Sequence, residues 1–493
     1  MPESLLSRAR PLLVARLAGA ALTVAVPMIL ARVLAPASYG TFKQAWLLAQ
    51  TLALVLPMGT TLSLYYFLPR DPLRRDRYVA QTSLAHAVLG AVAALALLAA
   101  APLVHAWSGN PELARVLPLV AGLAGLQIAG APLDVAWNAR GLVGRAALAR
   151  VGTEVARGGG MLAGALLLGR YAEGVLTGIL WVHAARALAS VACLAWEHGL
   201  VFDRATARRQ AAYALPFGAA FLLLVPQQQL HQYAVAAIVP AATFAVYAVG
   251  MFQLPIVDIL HTPVAELLQI GIADSDGAGR PPRAALPLFH EAVGQLAFAF
   301  VPLTALLVVV ARPLVELLFS ARYLDAVPLF RIGTLAVVLA ALPLDGVLRA
   351  RAENRYMLGL SAVKLAGTAL LVFSGLWTFG PIGAISGHVL AEAGARAAML
   401  GRAAESFEVG AREILPWRAL ARQLAASGLA AGAAAGALAV VAGAPLVRLL
   451  AAGSAFAVAY LAATLASGGL PAAWLDLFRR PAATARAAPG ASE

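Results

Sequence analysis

The stretch from Arg32 to Trp46 reads RVLAPASYGTFKQAW and separates two long apolar runs. Pro36 and Gly40 interrupt the helical pattern, because proline lacks a backbone N–H and glycine is a weak helix former. Arg32 and Lys43 place charge near both ends of the break, and charge is costly in hydrocarbon. The stretch therefore predicts a turn at a membrane surface between two spanning helices.

The composition of the rest of the chain agrees with that interpretation. The 493 residues are 61% hydrophobic and only 12% charged, with a mean hydropathy of +0.80. Apolar segments of about 20 residues, the length that spans a bilayer, recur nearly from end to end. We therefore predict an all-α polytopic membrane protein, embedded in the lipid bilayer and without a nucleic-acid partner.

Charge and cysteine content limit the covalent links and the ligands that this protein can have. Cys193 is the only cysteine, so the fold contains no internal disulfide. The net charge of +13 comes mainly from arginine, since Lys43 and Lys364 are the only lysines. Such a balance favours anionic lipid headgroups or an anionic substrate. The apolar run after Arg10 is too long for a signal peptide, and we interpret it as a retained first helix.

The hydropathy pattern predicts about fourteen transmembrane helices. Connections on one side hold 21 arginines and those on the other side seven cations, which indicates cytoplasmic N- and C-termini. Richness in Ala and Arg suggests a GC-rich bacterial genome, so we expect the bacterial cytoplasmic membrane. The predicted spans are 12–33, 42–68, 79–104, 117–137, 146–168, 174–195, 211–238, 241–272, 286–310, 326–348, 356–377, 382–400, 419–442 and 446–467.

An internal repeat relates the first twelve helices. Three segment pairs match in the same order at offsets of about 204 to 211 residues. They are 36–42 with 240–247, 131–140 with 342–351, and 174–178 with 383–387. The repeat predicts two pseudo-symmetric six-helix bundles, 1–200 and 201–410, followed by two additional helices in 411–470. A disordered cytoplasmic tail is expected at 471–493.

The layout and one motif carry a family resemblance. Two six-helix halves, two added helices and the L-x-P-x-x-Y-G motif at Leu34, Pro36, Tyr39 and Gly40 resemble the polysaccharide-exporter branch of the multidrug/oligosaccharidyl-lipid/polysaccharide (MOP) exporter superfamily. The resemblance implies a central cavity lined by helices one, two, seven and eight. It also implies that cationic residues in this cavity receive the pyrophosphate of a lipid-linked oligosaccharide.

The seventh predicted helix carries a dense polar cluster after Pro226. Its members are Gln227, Gln228, Gln229, His231, Gln232 and Tyr233. Gln228, His231 and Gln232 are spaced by three or four residues, so one helix face could offer them to sugar hydroxyls or phosphate. We predict that these three bind substrate. The alternative is hydrogen bonding between helices that holds the bundle together.

Cations near the expected cavity are further substrate-binding candidates. Arg16, Lys43 and Gln44 lie on helices one and two, and Lys364 lies well inside helix eleven. A guanidinium or ammonium at these depths could meet a diphosphate. Alternatively, Arg16 and Lys43 extend to the headgroups. A lone ammonium at the depth of Lys364 is costly without a partner or water.

Titratable side chains in helix eight are candidates for ion coupling. Asp258 and His261 are three residues apart, and Glu266 follows Pro263. A structural ion pair is the alternative.

Glu154 with Arg157 and Glu392 with Arg396 have the spacing of intrahelical salt bridges. Asp134 and Asp345 end the repeated P-L-D segments and are expected to be loop anchors or parts of a gate. We predict no metal site and no cofactor.

Three functions are compatible with this sequence. The first is a flippase that moves a polyprenyl-diphosphate sugar across the membrane by alternating access for surface polysaccharide synthesis, with polysaccharide-assembly proteins as candidate partners. The second is an ion-coupled multidrug or cation antiporter, favoured by Asp258 and Glu266. The third is a polymerase or ligase, which the short outer loops disfavour, so we predict no enzyme activity. An ATP-driven pump is excluded, because its P-loop requires the pair Gly-Lys and neither lysine of this sequence follows a glycine.

Overall fold

In a computed structural model of the protein, the described residues are 19, 21–22, 24–252 and 255–469. Helix follows helix through these residues, and none of them forms a β-strand. By length and composition, ten helices within the described part are suited to cross a membrane. The prediction of an all-α polytopic membrane protein is therefore confirmed.

The described helices are numbered here in chain order. They are α1 (Val24–Val33), α2 (Pro36–Val55), α3 (Ser63–Arg70), α4 (Arg75–Ala99), α5 (Ala101–Ser108), α6 (Pro111–Gly130), α7 (Pro132–Ala139), α8 (Val143–Leu167), α9 (Ala172–His198), α10 (Arg204–Ile238), α11 (Ala241–Gly250), α12 (Ile256–Gly277), α13 (Leu286–Phe319), α14 (Val327–Leu339), α15 (Leu344–Ala350), α16 (Asn354–Phe407), α17 (Trp417–Val440) and α18 (Pro445–Ala466).

Every predicted span from 42–68 onward corresponds to a helix or to two consecutive helices. Two of the predicted spans are broken at repeat-equivalent places, before Pro132 and at Pro343, because proline cannot donate the helical hydrogen bond. Conversely, α16 contains two predicted spans joined at Gly380, whose φ is 61°. Span 12–33 is only partly described, and the tail 471–493 lies outside the described residues.

The opening stretch is a shorter break than its sequence suggests. Helix α1 ends at Val33, and α2 begins with Pro36 in its first turn, where a missing N–H costs nothing. Gly40 lies inside α2 and does not interrupt it, so the expectation that Gly40 breaks the helix is wrong. Its role is steric, because a Cβ at Gly40 would overlap the backbone carbonyl of Ala241 in α11.

The chain forms two compact units. The first contains Met1–Phe252, Leu318–Leu329 and Ser361–His388. Within it α4, α6 and α9 pack together, and α8 lies close to α9 because Gly164 and Gly178 leave room for the opposing backbone. The glycines at 160, 164, 174 and 178 thus let the two helix backbones approach closely.

The second unit contains Gln253–Leu317, Phe330–Leu360 and Val389–Glu493. One apolar core joins α12, α13, α15 and the end of α16, with Phe289 and Phe407 fully buried. The two helices added after the repeat, α17 and α18, pack on each other and on α13 around Ala430 and Phe456. The domain boundaries inferred from the repeat stay a prediction.

Candidate functional site

The polar cluster of α10 is distributed over three faces of the helix. Gln227 and His231 are buried on one face. The Gln227 amide donates to the Ser361 carbonyl at 2.9 Å, and His231 Nδ1 lies 2.8 Å from the Tyr247 hydroxyl. These two side chains therefore join α10 to α16 and α11.

A second face of α10 meets α2. The Thr51 hydroxyl donates to the Gln229 amide oxygen, and the Tyr233 hydroxyl donates to Thr51 Oγ1 at 2.7 Å. The Trp107 indole N–H reaches the Tyr233 carbonyl at 3.1 Å. Sequence reasoning did not single out Thr51 or Trp107, since only their position in space links them to α10.

The third face of α10 leaves polar groups open. Gln228 is exposed and Gln232, one turn further along, is partly exposed. An amide facing lipid is unfavourable, so these two side chains are suited to an aqueous path. Of the three predicted substrate-binding residues of α10, Gln228 and Gln232 share this open face, whereas the His231 side chain is occupied by Tyr247.

The open face of α2 carries charge and an aromatic ring. Lys43 is half-buried, and its Nζ lies 5.8 Å from the centre of the Tyr39 ring. Trp46 is one turn further along, and the Arg157 guanidinium of α8 lies 5.6 Å above its ring. The predicted ion pair between Arg157 and Glu154 is present. Lys43 and Trp46 thus offer a cation and a ring face within the first unit, whereas Glu154 balances the charge of Arg157.

Gln44 has a different environment from its neighbour Lys43. Its side chain is fully buried, accepts from the Asn110 amide at 2.8 Å and donates to the Ala236 carbonyl at 3.4 Å. Asn110 also caps the start of α6, where its side chain accepts from the Glu112 backbone N–H. Gln44 therefore serves packing in this structure, and its binding of substrate stays a prediction.

The repeated segments around Pro36 and Pro240 lie against each other. Helices α2 and α11 cross where Gly40 meets Ala241. Beside this crossing, the buried Tyr39 ring meets the Tyr323 ring edge-on, with 6.0 Å between centroids. We call the contact formed by Tyr39, Gly40, Ala241 and Tyr323 the seam.

The remaining predicted site residues are placed as follows. Lys364 is half-buried in α16, three residues after Ser361. Asp258 and Glu266 are exposed on α12, whereas His261 is half-buried and contacts Asp345 and the Ala340 carbonyl. Arg16 lies outside the described residues. The predicted pair of Glu392 with Arg396 is observed, and Asp345 pairs with Arg349.

Ten described helices are long and apolar enough to cross a membrane, and several of them carry polar or cationic side chains. This arrangement defines a multi-pass membrane protein. The model of the family described as "Polysaccharide biosynthesis protein" matches residues 29–328, and the chain belongs to that family. A comparison with curated proteins finds no match.

Solved structures show the same fold at low identity. A lipid II flippase MurJ in an inward closed conformation is 10% identical, with a TM-score of 0.69 over 92% of this chain and 98% of that one. An inward-facing multidrug resistance MATE family transporter of the MOP superfamily is 17% identical, with a TM-score of 0.65 over 79% and 94%. A MOP superfamily transporter from Pyrococcus furiosus is 15% identical, with a TM-score of 0.53 over 82% of this chain and 95% of that one. The resemblance to the MOP superfamily is thus confirmed at the level of the fold.

Proposed function

We propose that the protein is a flippase that moves a lipid-linked oligosaccharide across the bacterial cytoplasmic membrane by alternating access, during the synthesis of a surface polysaccharide. The observation that carries the proposal is the open amide face of Gln228 and Gln232 on α10, a helix long and apolar enough to span a membrane. Amides suit sugar hydroxyls, which both donate and accept hydrogen bonds. Membership of a polysaccharide biosynthesis family supports a sugar substrate.

The diphosphate of such a substrate requires positive charge. Lys43 supplies it in the first unit, and the Trp46 ring, one turn further along α2, is suited to stack on a sugar. Arg16 and Lys364 are proposed to add to the cationic surface. Movement of the substrate across the bilayer makes or breaks no covalent bond, so the proposed role needs no catalytic residue.

A reconstituted transport assay tests the proposal. Proteoliposomes holding the purified protein receive either a fluorescent undecaprenyl-diphosphate sugar or a cationic dye, and transfer between leaflets is followed. We expect transfer of the lipid-linked sugar alone. Lys43→Ala is expected to reduce it at least tenfold, about 1.4 kcal/mol of transition-state free energy. The control Arg448→Ala, on α18 outside the repeat, should leave transfer unchanged.

Cation transport is the second candidate function, because the exposed carboxylates Asp258 and Glu266 are suited to organic cations. Transport of the dye without transfer of the sugar lipid would replace the flippase with an antiporter. Equal transfer by Lys43→Ala and wild type would remove Lys43 from the proposed binding surface.

A further inference from the structure

The two repeat-equivalent P-L-D aspartates are held by different partners. Asp134 in α7 accepts from Arg186 of α9, with 2.5 Å between Oδ1 and Nη2. Arginine stays protonated at all physiological pH values, so this pair has a fixed charge. Asp345 in α15 instead faces the His261 ring of α12, with 3.6 Å between Oδ1 and Nε2. Histidine exchanges its proton in the physiological range, so only the second pair can change charge.

The contacts of His261 fix where its hydrogens are. Nδ1 lies 2.9 Å from the Ala340 carbonyl, and a carbonyl can only accept, so Nδ1 carries a hydrogen. A neutral ring would then point the Nε2 lone pair at Asp345 Oδ1, and two acceptors repel each other. Oδ1 is buried and accepts no hydrogen bond from the described residues. A proton on Nε2 converts this repulsion into attraction.

The charged groups around the pair balance in number. Asp345 Oδ2 lies 3.3 Å from Arg349, and on α16 Arg396 pairs with Glu392 at 3.0 Å. Arg396 also interacts electrostatically with His261 and Asp345. The face of α13 in the neighbouring core is apolar, and Asp258 and Glu266 on α12 are exposed. Two carboxylates and two guanidiniums cancel, so the cluster is positive only when His261 is protonated.

The pair joins two helices that are in close backbone contact. Gly346, next to Asp345, lies against α12, and a Cβ there would be only 2.8 Å from the Ala265 carbonyl oxygen. Helix α15 follows the break at Pro343. Loss of the proton removes this attraction between the two helices and leaves Asp345 paired with Arg349 of its own helix. Protonation of the pair therefore favours the contact between α12 and α15.

We propose that His261 and Asp345 form a proton-binding site that controls the contact between α12 and α15 and couples transport to the proton gradient. The site differs from the Asp134–Arg186 pair in the first repeat, which serves as an internal reference with fixed charge. The coupling rests on the proposed transport function, whereas the binding of the proton does not.

Histidine NMR tests the proton site without any substrate. The protein, labelled with ¹⁵N-histidine in detergent, is titrated between about pH 5 and pH 9, and the His261 signal is assigned by its loss in His261→Gln. We expect the signal to titrate, with a midpoint that Asp345→Asn shifts and Asp134→Asn leaves unchanged. If Asp345→Asn does not fold, Asp345→Glu replaces it, because a longer carboxylate also changes the midpoint. The proposal is overturned if the His261 signal does not change with pH, or if neither Asp345 variant shifts the midpoint of its titration.

A flipping assay with an imposed pH gradient tests the coupling. In wild type the gradient should change the transfer rate of the undecaprenyl-diphosphate sugar about tenfold, and in His261→Gln transfer should continue without responding to it. The same response in both proteins overturns the coupling. If wild type transfers no sugar lipid, the proposed function fails, and the NMR titration still decides whether the proton site exists.

Discussion

Adjacent glutamines of α10 have different environments and should respond differently to substitution. Gln227 is only 3% exposed and donates to the Ser361 carbonyl, so Gln227→Leu should cost about 1 kcal/mol and lower the melting temperature. Gln228→Leu removes an exposed amide, so it should leave the melting temperature unchanged and reduce transfer of the sugar lipid. Thermal unfolding in detergent and the flipping assay measure the two effects. The opposite result would place Gln228 in helix packing and contradict the open face.

The sequence predicts that these side chains lie on α10 but cannot tell them apart. Three consecutive glutamines point in three directions around a helix, and their roles depend on which neighbours meet each direction. Thr51, which donates to Gln229, is 178 residues away in the sequence. The His261–Asp345 contact was missed for the same reason, although both residues were recognised individually.

The hairpin of α8 and α9 shows how glycine determines helix packing. A Cβ at Gly164 would overlap the Gly174 carbonyl, whereas one at Gly159, five residues earlier in α8, would meet nothing within 4 Å. Alanine is favoured over glycine inside a helix by about 1 kcal/mol. Gly159→Ala should therefore keep or raise the melting temperature, and Gly164→Ala should lower it by several degrees. If both variants melt at the same temperature, the close approach of α8 and α9 does not stabilise the fold.

Spanning helices were predicted well because their length and apolar content are set by the bilayer. Their breaks were predicted less well. Met58 has a positive φ of 48° in the turn that separates α2 from α3, and nothing in an averaged hydropathy pattern reveals it. Pro132 and Pro343 each begin a short helix at the end of a span, and the repeated P-L-D motif marked both places. The prediction at Gly40 is wrong because this glycine makes room for the Ala241 backbone and does not end a helix.

The seam brings together segments from both halves of the sequence repeat. Tyr39 and Gly40 come from the first half, and Ala241 and Tyr323 come from the second. The bonds from Thr51 to Gln229 and from Tyr233 to Thr51 extend this contact along α2 and α10. In an alternating-access transporter, contacts between the halves on one side must separate when that side opens. Under the proposed function, we therefore expect the seam and these bonds to separate in one state of the transport cycle.

A reversible cross-link tests this movement. Cys193 is replaced by Ala, and Thr51→Cys is combined with Gln229→Cys, whose native side chains are in direct contact. A reducible cross-linker with two thiol-reactive groups, whose spacer makes up for the shortened side chains, should stop transfer of the sugar lipid, and a reductant should restore it, because the link prevents α2 and α10 from separating. The control pair is Gln423→Cys with Tyr460→Cys, which joins α17 to α18 where the native oxygens lie 2.6 Å apart. Cross-linking of the control should leave transfer intact, since both helices follow the repeat. Continued transfer by a fully cross-linked Thr51–Gln229 pair would show that α2 and α10 move as one body during transport.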